Sequence, residues 1–135
     1  MATAEERLME WLRDAHAMEE QAESILESQI ARLQHYPDVK LKMQQHLEAT
    51  RRQAKLVESC IAARGGDTSV VKVLSAKIVA AAQGLSGIFV DDEVIKGALA
   101  SYTFEQMEIA SYRILIAAAE AVKDASTASN ILTLF

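Results

Sequence analysis

The side chains best suited to chemistry in this sequence are carboxylates in apolar surroundings. In Phe104-Glu105-Gln106-Met107-Glu108-Ile109-Ala110-Ser111-Tyr112, two glutamates fall on a stripe of otherwise small and apolar positions. At about 100° per residue the stripe runs Val94, Ala98, Ser101, Glu105, Glu108, Tyr112, Leu115 and Ala119. Like charges three apart repel on an exposed helix. In a buried stripe the penalty grows unless a proton, a cation or a hydrogen-bond network offsets it. Glu19 lies on a second stripe, close in angle to Leu12 and Leu26, while Glu20 falls to its side. Carboxylates projecting inward from different helices offer the hard oxygens that suit iron or manganese, and histidine commonly completes such a shell. Glu19, Glu105 and Glu108 qualify by face as metal ligands. The plainer alternative is that they reach a solvated bundle end or pair with Arg or Lys across an interface.

The remaining candidates are weaker. His16 lies at the edge of the first stripe, His46 at the flank of the second, and His35 before a turn; no Glu-x-x-His occurs. Gln53 lies near the second stripe, where it would be an oxygen ligand, an outer-shell hydrogen-bonding group or an ordinary interface amide. Glu48 points away from that stripe by angle, and Arg51, three residues on, cannot bind a metal. Tyr112 is four residues after Glu108, which brings its hydroxyl near the carboxylates. Cys60 has no base near it in sequence and reads as a buried, inert thiol. The chain has no nucleophile motif, no glycine loop for phosphate and no Cys/His cluster of the zinc type.

The elements that must position these residues are helices. Thr3-x-x-Glu6 is a capping box opening a helix that meets no Gly or Pro before Pro37. Its stripe of Leu8, Trp11, Leu12, Ala15, Met18, Ala22, Leu26, Gln29, Ile30 and Leu33 predicts about 30 residues of helix, roughly 45 Å. His35-Tyr36-Pro37-Asp38 is a turn, and Pro37 opens a second helix from about Asp38 to Arg64. Met43, Leu47, Thr50, Ala54, Val57 and Ile61 face inward on it, and Gly65-Gly66 stops it. Val70 to about Leu85 predicts a short apolar helix, with Val70–Leu74 able to form a strand as well. Asp91-Asp92 caps a third long helix to about Val122. Lys123 to Thr127 reads as a break, and Ala128 to Phe135 as one or two helical turns.

The whole chain is consistent with that scheme. It has 135 residues, enough for one domain, residues 1–135, with a real core. Abundant Ala with only 5 Gly and 1 Pro favours helix over sheet. A net charge of −5 without a basic block argues against nucleic acid as a partner. The apolar run Val70 to Val90 is broken by Lys72, Lys77, Gln83, Gly84 and Gly87, which makes it a poor membrane span. A lone cysteine and an acidic N-terminus without an apolar core lead to the expectation of a cytoplasmic protein. The fold class is therefore all-α, an antiparallel bundle. Three long amphipathic helices would leave apolar faces to cover, so a homodimer is expected. No small-molecule substrate follows from the residues.

Three segments carry a resemblance to a known family. They are Leu12-Arg13-Asp14-Ala15-His16-Ala17-Met18-Glu19-Glu20-Gln21, His46-Leu47-Glu48-Ala49-Thr50-Arg51-Arg52-Gln53, and the opening stretch from Phe104 to Tyr112. In order and spacing they resemble the motifs of the YciE/YciF family of ferritin-like bacterial stress proteins, over about residues 8 to 123. Glu-Ile-Ala-Ser-Tyr is the most specific match. The resemblance implies a ferritin-like bundle, commonly dimeric, with a di-metal centre and a role in stress response. By position it marks Glu19, Glu48, Gln53, Glu105 and Glu108 as motif residues. Two departures stand out. Gln106 and Met107 replace the family's usual His-Tyr, and residues 128–135 carry no acidic pair where the family continues into an acidic helix. The expectation is a site lacking that helix's ligands, in a bundle closed by the short apolar helix or by a partner subunit.

Overall fold

Residues 1–66 and 93–134 are described in a computed structural model of the chain. The short apolar helix expected over 70–85 and the Asp91-Asp92 cap lie outside these residues. Four helices are present among them, and no strand.

Helix α1 spans Ala4–Arg32. The capping box forms as expected: Glu6 N donates to Thr3 Oγ1 at 3.1 Å, and Thr3 N to Glu6 Oε2 at 2.8 Å. Helix α2 spans Pro37–Ala63, with the proline in its first turn, where no intrahelical N–H is needed. It ends where Gly65 takes φ +76° and Gly66 N donates to Ile61 O at 2.9 Å. Gly66 also permits a close approach. A Cβ there would meet Ile61 Cγ2 at 2.7 Å and Met9 Sδ at 2.9 Å, so a side chain would push the end of α2 off the start of α1.

Helix α3 spans Glu93–Ala121 and helix α4 spans Ala125–Leu132. The break between them falls at Lys123 (φ 61°) and Asp124, after which α4 starts three residues earlier than the sequence suggests. The reason is the cap. Asp124 accepts from Thr127 N at 3.0 Å and Thr127 Oγ1 at 2.6 Å, and Arg64 Nη1 donates to it at 2.5 Å. That one carboxylate starts α4 and fastens it to the end of α2.

Register follows from pairs across the seams. Arg51 to Glu23 and His16 beside Glu58 set α1 against α2; Tyr112 to Glu19 and Gln29 to Gly97 set α1 against α3. Helix α1 is thus antiparallel to both and packs on each, and His46 of α2 lies beside Glu105 of α3. The core sits at one end, where Leu8, Leu12, Val57, Ile61, Leu115 and Ile131 are fully or almost fully buried. Trp11, placed inward by the helical stripe, is partly exposed instead, because it lines an open groove with Met107 and Ile114 of α3. Toward its N-terminus α3 also loses cover: Ile95, Leu99 and Tyr102 are exposed. No described helix is long and apolar enough to cross a membrane.

Candidate carboxylate site

Glu19 is completely buried, flanked along α1 by the small buried Ala15 and Ala22. The Tyr112 hydroxyl donates to Glu19 Oε1 in a short hydrogen bond from α3. The sequence placed the tyrosine hydroxyl near the carboxylates without saying which one it would meet. The structure gives it to the carboxylate on α1, because helix crossing brings residue 112 opposite residue 19. Glu108, one turn before Tyr112, is 6% exposed.

Both carboxyls are hard to ionise. Burial pushes Glu19 up to about 7, against the opposing effect of the Tyr112 hydrogen bond. Burial pushes Glu108 up to about 8, and the nearby charges of Glu19 and Glu105 push it further in that direction. Burial and Glu19 also raise Tyr112, which therefore stays a hydrogen-bond donor.

The site is short of hydrogen-bond partners among the described residues. Glu19 Oε2 and Glu108 Oε1 are buried without a hydrogen-bond partner, as are Gln53 Oε1 and Thr50 Oγ1. The α1–α2 register places Gln53 within a turn of the level of Glu19, and Thr50 about a turn and a half from it. Gln53 Oε1 can only accept, while each carboxyl has one O–H to donate when it holds its proton; each unmet acceptor costs about 1–3 kcal/mol. Thr50 was visible in the sequence only as a member of an apolar stripe; it is completely buried, with its hydroxyl unpaired among the described residues.

The other motif residues lie elsewhere. Glu105 is 48% exposed in its side chain, with His46 Nδ1 3.6 Å from its Oε1 across the gap between α2 and α3. Glu105 thus leaves the inward stripe that Glu108 keeps. Glu48 is exposed and accepts from Arg51 Nη1 at 2.8 Å. Arg51 also donates to Glu23 and Glu27 at 2.7 Å each, clamping α1 to α2. Sequence spacing showed Arg51 only as a residue unable to bind metal; its clamp depends on three carboxylates from two helices. His16 is buried, with Nε2 3.8 Å from Glu20 and 3.9 Å from Glu58. Cys60 is a free, buried thiol pushed up by burial, in line with an inert role.

A model of the family described as a domain of unknown function, DUF892, matches residues 3–134. The chain belongs to this family. It is the YciF-like group, in keeping with the motifs of the three helices. A crystal structure of a protein from Xanthomonas campestris pv. campestris is also similar, with 34% identity and a TM-score of 0.77. The match covers 98% of this chain and 82% of that one. The fold is therefore shared with that structure.

Whether the residues present suit the metal that a ferritin-like fold implies is decided by their oxygens. Glu19, Glu108 and Gln53 supply hard acceptors, and their unpaired atoms call for a donor or a cation. A four-carboxylate cage is not assembled among the described residues: no group of three or more His, Cys, Asp and Glu side chains stands ready to hold an ion there. The donors described are thus two buried carboxyls and one amide oxygen, fewer than a di-metal cage needs.

Proposed function

We infer that the protein is a ferritin-like carboxylate protein of the YciE/YciF type, whose Glu19–Glu108 pair takes up a hard divalent cation, iron or manganese. The observation that carries this reading is the set of buried acceptor oxygens from three helices that have no hydrogen-bond partner among the described residues. Glu19 and Glu108 would hold the ion, with Gln53 Oε1 beside it. Tyr112 orients the Glu19 carboxylate through its hydroxyl. A bound iron or manganese ion would supply redox chemistry or, without turnover, simple storage of the metal; either fits the stress role that the family resemblance implies. Because each carboxyl resists ionisation, binding displaces protons and strengthens as pH rises. Glu105 and Glu48, both family motif residues, stand apart from this pair.

The test is thermal unfolding of metal-stripped protein titrated with Mn²⁺ or, without oxygen, Fe²⁺. Ion at 100 times its Kd should stabilise the fold by about 2.7 kcal/mol, and Glu108→Gln should abolish the gain. No rise in Tm at millimolar ion would end this reading.

A second reading, a non-enzymatic homodimer that works without metal, is favoured by a different observation. Ile95, Leu99 and Tyr102 are exposed on α3, and a groove of about 550 Å³ lined by Trp11, Met18, Met107 and Ile114 opens between α1 and α3. Under it, metal-stripped protein sediments as a dimer and Glu108→Gln leaves the dimer intact.

A further inference from the structure

We propose that two copies of this chain associate through α3, laid antiparallel along a seam from Thr103 to Ala121. This rests on the homodimer reading and gives that dimer its face and its direction; it does not depend on the cation site.

The seam is a heptad pattern. Thr103, Met107, Ala110, Ile114, Ala117 and Ala121 follow one another at spacings of four and three, which brings them onto one stripe about 27 Å long. With Met107, Ile114 and Ala121 at the a positions, Thr103, Ala110 and Ala117 fall at d. All six are exposed, Met107 by 45% and Ile114 by 55%. They lie on the side of α3 away from Glu108, Tyr112, Leu115 and Ala119, which are buried. Helix α3 thus has an exposed apolar side as well as a buried one, the pattern of a helix covered on both. The groove lined by Trp11, Met18, Met107 and Ile114 borders the seam through its two α3 residues, so seam and groove form one apolar surface.

Charge names the occupant and its direction. The six seam residues carry no charge. Position g, at the edge, holds Arg113 in one heptad and Glu120 in the next. Both are exposed, and neither makes an ion pair among the described residues. In an antiparallel pair g faces g. Arg113 then meets the partner's Glu120, and Glu120 meets the partner's Arg113, so the contact is made twice by symmetry. In a parallel pair g faces e, here Ser111 and Ala118, which have no charge to offer. The face is therefore complementary to itself, and in one direction only. The same register sets Ile114 on the partner's Ala117 and Ala110 on the partner's Ala121. A large side chain meets a small one and small meets small, which lets the two backbones approach closely.

Sedimentation equilibrium of the full chain in chelator tests this, with circular dichroism to confirm folding. Wild type should dimerise. Ala117→Glu changes a residue exposed in the single chain but puts an unpaired charge in the middle of the seam, so the dimer should weaken by more than about a hundredfold. Arg113→Glu and Glu120→Arg each set like charges against one another at both edges and should each weaken it by about tenfold. Mixed in equal amounts, these two variants should recover wild-type affinity as a heterodimer, because opposite charges then meet at both edges. A wild type that stays monomeric at the highest soluble concentration would overturn this face and the homodimer reading together. A dimer indifferent to Ala117→Glu and to both reversals would overturn the face and leave a homodimer formed through another surface. Loss of the dimer in Ala117→Glu without recovery in the mixture would overturn the antiparallel direction.

Discussion

Replacing Glu108 with Gln should stabilise the metal-free protein at neutral pH. The folded-state carboxyl lies near 8 against an ordinary value of 4.5, so the folded chain holds a proton that the unfolded chain releases. The sign follows from that difference. The stability tied to the protonated carboxyl is fully present below about 4.5 and is lost as pH rises toward 8. At about pH 7 the accumulated penalty is on the order of 3 kcal/mol. Glutamine has nearly the same shape, carries no charge to desolvate, and brings an amide donor toward the unpaired Glu19 Oε2. In a domain of this length that gain corresponds to roughly 10 °C in Tm. The assay is thermal unfolding in chelator from about pH 4.5 to 8. Wild-type Tm should fall across that range, with Glu19 contributing up to about 7. The variant should show a shallower fall and meet wild type at the acid end. A variant less stable than wild type near pH 7, or a wild-type Tm that does not fall between about pH 5 and 8, would refute the burial argument.

Other perturbations probe the same framework. Tyr112→Phe should destabilise by about 1–3 kcal/mol, because Glu19 then has neither oxygen bonded; chemical denaturation of the metal-free protein measures it. Asp124→Ala removes the cap of α4 and the Arg64 partner together, so a loss of about 2 kcal/mol is expected, with early loss of amide protection over residues 125–132 in hydrogen exchange. Gly66→Ala should cost about 1–3 kcal/mol in denaturant unfolding, since its Cβ would sit 2.7 Å from Ile61 Cγ2 and 2.9 Å from Met9 Sδ.

Local chemistry was legible in the chain itself. The capping box at Thr3, Pro37 at the start of α2 and the Gly65-Gly66 stop all depend on residues within a turn of one another, and all three form. Glu19 was legible for the same reason: a carboxylate between Leu12 and Leu26 on a long helical stripe has nowhere to go but inward. The third-helix pair shows where that logic stops. Glu105 and Glu108 share one stripe, and nothing within α3 separates them. Helix α1 crosses α3 at Tyr112 and Glu108, so Glu108 is covered, while Glu105 stays half exposed with His46 of α2 beside it. The same holds for Arg51, whose three partners come together only once α1 lies against α2. Periodicity fixes the angle of a side chain about its own axis. Whether that angle is buried, paired or open to solvent depends on a neighbouring helix whose distance and crossing are set by the rest of the core.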